Sequence, residues 1–126
     1  MDLAEITRLL TVVEKKHRID QDNDWCQGSP TYLNEIKKEL AEVEEEIHSG
    51  RICYLEDELG DVLWDYLNLL VCLASEQAIS PARVFKRAAD KYSERISGIE
   101  AGVPWARTKA RQKERLAAEH QAEQSD

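Results

Sequence analysis

Two stretches, EIKKELAEVEEEI at residues 35–47 and LEDELGDVLWDYLNLLVCL at residues 55–73, decide how this chain folds. An α-helix turns about 100° per residue. On that rotation Ile36, Leu40, Val43 and Ile47 form an apolar band roughly 60° wide, and Glu35, Glu39, Glu42 and Glu46 form an acidic band along its edge. In the second stretch an inward stripe of Leu55, Leu59, Val62, Tyr66 and Leu73 leaves Glu58, Asp61 and Asp65 on the corresponding edge. Both stretches are predicted to be helices. A short connection makes them an antiparallel hairpin whose acidic edges converge on one cleft.

The spacing of those acids is informative in itself. Glu35 and Glu39, Glu42 and Glu46, and Asp61 and Asp65 are like-charge pairs four residues apart, and no Lys or Arg interrupts the flank. Each such pair costs a helix a few tenths of a kcal/mol, whereas a solubilising face interleaves Glu with Lys. Carboxylates converging in a cleft need a cation or protons. All-oxygen ligands suit a hard ion, Mg²⁺ first and Mn²⁺ second.

Around this hairpin, 126 residues make one domain-sized chain with a net charge of −8. A high charged fraction with few aromatics, Gly or Pro indicates an all-α protein. The negative balance argues against nucleic acid or an anionic membrane as the main partner. Cys26, Cys53 and Cys72 form no C-x-x-C pair, so a reducing cytoplasm is the expected setting. No basic n-region precedes an apolar run at the N-terminus, and no apolar stretch is long enough for a membrane span. His17, His48 and His120 are too scattered for a zinc site.

Four main helices are expected. The first starts at Asp2 as N-cap and ends near His17, before a loop over residues 19–30 that carries Trp25. Ser29 with Pro30 reads as the cap of the second helix and Gly50 as its end. The third runs from about Tyr54 to Gln77 and is apolar around much of its circumference, which implies oligomerisation through it and through helix four. Ser80 and Pro81 open helix four, which ends before Gly98. Residues 1–103 form the helical domain, and residues 104–126 form a charged tail, either a weakly held helix or disordered. A helix-interior Gly costs about 1 kcal/mol relative to Ala, so Gly60 implies close approach of a ligand or a crossing helix.

The acidic edges also read as a motif: Glu39-x-x-Glu42, a spacer, then Glu58-Leu59-Gly60-Asp61 within EDELGDVLW. This resembles the MazG-like nucleoside triphosphate pyrophosphohydrolases, an all-α superfamily that includes dimeric dUTPases and phosphoribosyl-ATP pyrophosphatases. The similarity spans roughly residues 20 to 97. The family pattern is E-E-x-x-E followed by E-x-x-D, and Lys38 stands where its first Glu would be. The resemblance implies Mg²⁺-dependent hydrolysis of a (deoxy)nucleoside triphosphate to the monophosphate and pyrophosphate, with nucleotide-pool house-cleaning as the family role. It implies Glu39, Glu42, Glu58 and Asp61 as catalytic metal ligands, with Glu35, Glu46 or Asp65 as general base or extra ligand. Lys91 and Arg95 resemble the family's K-x-x-x-R element for phosphate, ahead of Lys86 and Arg87, and Trp25 lies where an indole could stack on the base. A homodimer or homotetramer is expected. The alternatives are a phosphoribosyl-ATP pyrophosphatase-like enzyme and a non-enzymatic helical interaction protein. A di-iron bundle would need E-x-x-H on two helices, and only Glu45 and His48 have that spacing.

Overall fold

A computed structural model of the protein describes residues 3–125. Among them are five α-helices and no strand: α1 (Leu3–Asp20), α2 (Ser29–Ile47), α3 (Ile52–Glu76), α4 (Pro81–Glu100) and α5 (Trp105–Ser125). The all-α class is as expected, and the count rises to five because the charged tail is helical. Asp2, expected to cap α1, lies outside the described residues. No helix among them is long and apolar enough to cross a membrane. The chain divides into two compact units, Met1–Pro81 and Ala82–Asp126.

In the first unit α1 and α2 both pack on α3. Val13, Tyr32, Leu67, Leu70 and Cys72 are its buried apolar centre. Beside them lies a polar knot that the loop-like string after His17 conceals. The Tyr32 hydroxyl donates to the Asp20 carboxylate, which also pairs with Lys16, and Lys16 Nζ donates to Tyr32 Oη at 3.1 Å. Burial alone would raise the Asp20 carboxyl, but Lys16 and Tyr32 bring it below its ordinary range. This knot carries α1 one turn past His17.

The start of α2 differs from expectation in its cap. Ser29 is already helical, Gly28 is the capping residue at φ 92°, and no side chain of its own caps the helix. Glu76, at the end of α3, accepts from the Ser29 backbone N–H at 2.9 Å. A carboxylate there meets both the orphan donor and the positive end of the helix dipole. Gly28 is required twice over, by its φ and because a Cβ would come within 2.8 Å of Glu76 Oε1.

The inward faces of the hairpin are rotated from those the apolar pattern suggests. Leu40 and Ile47 on α2, and Leu59 and Tyr66 on α3, are exposed. Glu39, Glu46, Glu58 and Asp61 are half-buried, and Asp65 and Asn68 are buried. The acidic edge therefore lies on the packed side. The apolar stripe is split: Ile36, Val43, Leu55, Val62 and Leu73 are half-buried, while Leu40, Ile47, Leu59 and Tyr66, with Ile52 and Leu63, are exposed.

In the second unit α4 continues through Gly98 and ends in a Schellman turn. Val103 N–H reaches Gly98 O at 2.7 Å, Gly102 N–H reaches Ile99 O at 3.0 Å, and Gly102 sits at φ 82°. Pro104 then precedes α5. Arg87 pairs with Glu119 and Arg115 with Glu94, tying α5 to α4. Thr108 is buried, and a Cβ at Gly98 would come within 2.9 Å of its Oγ1.

Candidate functional site

The α2–α3 hairpin brings together the acids that the motif singled out. One carboxylate oxygen each from Glu39, Glu58 and Asp61 lies within 4.8 Å of the other two. These residues come from facing helices, with Glu58 and Asp61 one turn apart on α3. The Glu42 carboxylate adjoins both Glu39 and Glu58. Among the described residues, no Lys or Arg pairs with Glu39, Glu58 or Asp61.

The electrostatic consequence is a set of carboxyls raised above their ordinary range. Burial, then Glu42, Glu58 and Asp61, pushes the Glu39 carboxyl up to about 8. Glu42 foremost, then burial, holds Glu58 above its ordinary range. Burial, Asp57 and Glu42 do the same for Asp61. Glu39 Oε2, Glu58 Oε2 and Asp65 Oδ2 are buried without a hydrogen-bond partner. Buried carboxylate oxygens of this kind are costly unless protons or a cation satisfy them. An all-oxygen set with unspent lone pairs fits a hard divalent ion.

The three carboxylates considered as base or extra ligand stand in different settings. Glu46 is drawn off the cluster, since Ser49 Oγ donates to it at 2.6 Å and Arg51 pairs with it. Those two contacts hold it below its usual range. Glu35 accepts from Lys38 Nζ at 3.2 Å, so the lysine at the departure from the family pattern partly neutralises it. Asp65 is only 6 % exposed and makes no ion pair among the described residues, and burial, Glu35 and Asp61 push it up to about 6. Among the described residues a Cβ at Gly60 would meet open space, so the packing of α1 and α2 on α3 does not call for that glycine.

Trp25 sits in the loop before α2 with half its surface exposed. Lys16 Nζ stands 4.5 Å from its ring centroid, and the ring meets Tyr32 edge-on at 5.6 Å. Asn23 Oδ1 accepts from the Trp25 backbone N–H at 3.0 Å, which fixes the loop beneath the indole.

Lys91 and Arg95 lie on α4, within the second unit. Arg95 is buried, with its guanidinium 5.1 Å from the Tyr92 ring centroid and 5.0 Å from that of Trp105. Its Nε donates to Gln112 Oε1 at 2.8 Å. Lys91 is exposed, 5.6 Å from the Tyr92 ring. Lys86 and Arg87 are committed to Asp90 and Glu119. The clamp of Trp105 and Gln112 on Arg95 was not foreseen, because α5 has almost no apolar face to announce its packing.

Fold and cluster together define an all-helical protein with an acidic site suited to a hard cation. Residues 27–98 match the family model of the MazG nucleotide pyrophosphohydrolase domain, and the chain belongs to that family. No curated protein and no solved structure matches the chain. The matched span contains α2, α3 and the Lys91 and Arg95 turns of α4. It leaves out Trp25 and all of α5.

Proposed function

We propose that the protein hydrolyses (deoxy)nucleoside triphosphates to the monophosphate and pyrophosphate with Mg²⁺, in nucleotide-pool house-cleaning. The observation that carries this is the converged set of Glu39, Glu58 and Asp61, none of which pairs with a Lys or Arg among the described residues, with Glu42 beside it, inside the span that matches the family. These four residues would hold the ion, which when bound neutralises phosphate charge and makes a water a better nucleophile. Asp65 is the best placed of the three to take the water's proton, being buried, unpaired and pushed up to about 6. Glu35 and Glu46 each have a cation of their own. Lys91 and Arg95 would take the phosphate chain and Trp25 the base. Mn²⁺ would serve in place of Mg²⁺ through the same oxygen ligands.

The exposed stripe of Ile52, Leu59, Leu63 and Tyr66 supports a homo-oligomer built through α3. Three free cysteines fit a cytoplasmic setting. The test is pyrophosphate release from a panel of standard and modified nucleoside triphosphates with Mg²⁺, beside a folded Glu58→Gln, Asp61→Asn variant. Release by the native protein and its loss in the variant supports the reading. No release from any nucleotide, with no Mg²⁺-dependent rise in melting temperature, would leave a helical interaction protein as the better reading.

A further inference from the structure

The charge of the chain is divided between its two units. Residues 1–81 carry seven Lys and Arg against eighteen Asp and Glu, whereas residues 82–126 carry ten against seven. The positive excess is not spread evenly over the second unit. Between α4 and α5 lies a cavity of about 510 Å³, within the range of small-molecule sites. None of its lining residues belongs to the carboxylate cluster.

Three carboxylates line that cavity, and all three are already neutralised. Glu94 pairs with Arg115, Glu119 with Arg87, and Asp90 with Lys86. Four further cations line it without a carboxylate partner among the described residues: Lys91 and Arg95 from α4, and Lys109 and Lys113 from α5. Lys109 and Lys113 are one turn apart on α5, so their side chains emerge on one face.

The lining is also held in place. Gln112, between the two lysines, accepts from Arg95 Nε, and its Nε2 donates to Lys91 O at 2.9 Å and to Glu94 Oε1 at 2.8 Å. Two aromatic rings fix the Arg95 guanidinium. Cations positioned in advance pay less ordering entropy when an anion arrives.

We infer that this cavity is a polyphosphate site, in which Lys109 and Lys113 of α5 act with Lys91 and Arg95 on the phosphate chain of a nucleotide or on free pyrophosphate. The ligand chemistry follows from the count and type of charge. Several compact ammonium groups around a small volume suit an anion that carries several negative charges within a few ångströms. A nucleic acid is the less suitable occupant, since the chain as a whole carries a net charge of −8. The inference deepens the hydrolase reading and rests on it for the source of the phosphate chain. It assigns a phosphate-binding part to a helix outside the family match.

The test is titration calorimetry of the full chain in EDTA with inorganic pyrophosphate, inorganic tripolyphosphate and a nucleoside triphosphate. The proteins are the native chain, Lys109→Gln with Lys113→Gln, the same positions changed to Arg, and Glu58→Gln with Asp61→Asn. Native protein is expected to bind tripolyphosphate, and the Gln pair to bind it about tenfold or more weakly. The Arg pair should retain binding, and so should the acidic variant. A pyrophosphate affinity equal to that for tripolyphosphate would assign the site to product, and a tighter triphosphate to substrate. Equal binding by native and Gln-pair proteins, or no binding by native protein, would overturn the inference. So would tighter binding of a single-stranded oligonucleotide, lost in the Gln pair. Loss of hydrolysis alone bears on the carboxylates and leaves these metal-free affinities to be read separately.

Discussion

Replacing Glu39 with Gln should make the metal-free protein more stable at high pH and leave it nearly unchanged at low pH. The Glu39 carboxyl stands at about 8 against 4.5 for a free side chain. Between those values the folded protein keeps a proton that the unfolded chain has released, so stability falls as pH rises, with the loss complete above about 8. Above it Glu39 is an anion facing Glu58 and Asp61 within 4.8 Å. Coulomb's law at that separation gives about 1 kcal/mol per pair in water and about 3 kcal/mol at an effective dielectric of about 20. Half-burial and side-chain relaxation place the relief from a Gln near 1 to 3 kcal/mol in all, a rise of about 3 to 10 °C in melting temperature for a chain this size. The assay is thermal unfolding by circular dichroism in EDTA at pH 5, 7 and 9. Native protein should lose stability across that series and Glu39→Gln should lose less. Adding Mg²⁺ at pH 9 should restore the native protein and do little for the variant. A native melting temperature that is flat from pH 5 to 9, or a variant that melts below native at pH 9 in EDTA, would refute the reasoning.

Other consequences follow from single contacts. Gly60→Ala should stabilise the metal-free protein by about 1 kcal/mol in urea unfolding, because a Cβ there meets open space and helical Gly is costly. Glu76→Ala should cost about 0.5 to 1 kcal/mol in the same measurement, through the lost cap on Ser29. Leu59→Lys with Leu63→Lys, both on the exposed stripe of α3, should lower the molar mass seen by light scattering while helical content persists. An unchanged mass would remove α3 as the interface.

The helices themselves were legible because their apolar and acidic residues recur at helical spacing, and the acids of α2 and α3 converge as that spacing required. Which face turns inward was not. α3 is apolar around much of its circumference, so a single-chain pattern does not distinguish the side that meets α2 from the side left outward, and the packed side takes in Asp65 and half of Glu58 and Asp61 while Leu59 and Tyr66 of the expected stripe stay exposed. Helix ends depended on partners remote in sequence. Glu76 caps α2 from 47 residues away, and Asp20 prolongs α1 by binding Tyr32 on the next helix. The helix α5 was hardest to read, since long charged and amide side chains join it to α4 with little apolar periodicity to mark the contact.

The most direct measurement is phosphorus NMR of a nucleoside triphosphate incubated with Mg²⁺ and the native protein, beside the Glu58→Gln, Asp61→Asn variant. Monophosphate and pyrophosphate in equal amounts from the native protein, and unchanged triphosphate from the variant, is the expected result. Diphosphate with orthophosphate, or the same products from both proteins, would contradict a pyrophosphohydrolase centred on these carboxylates.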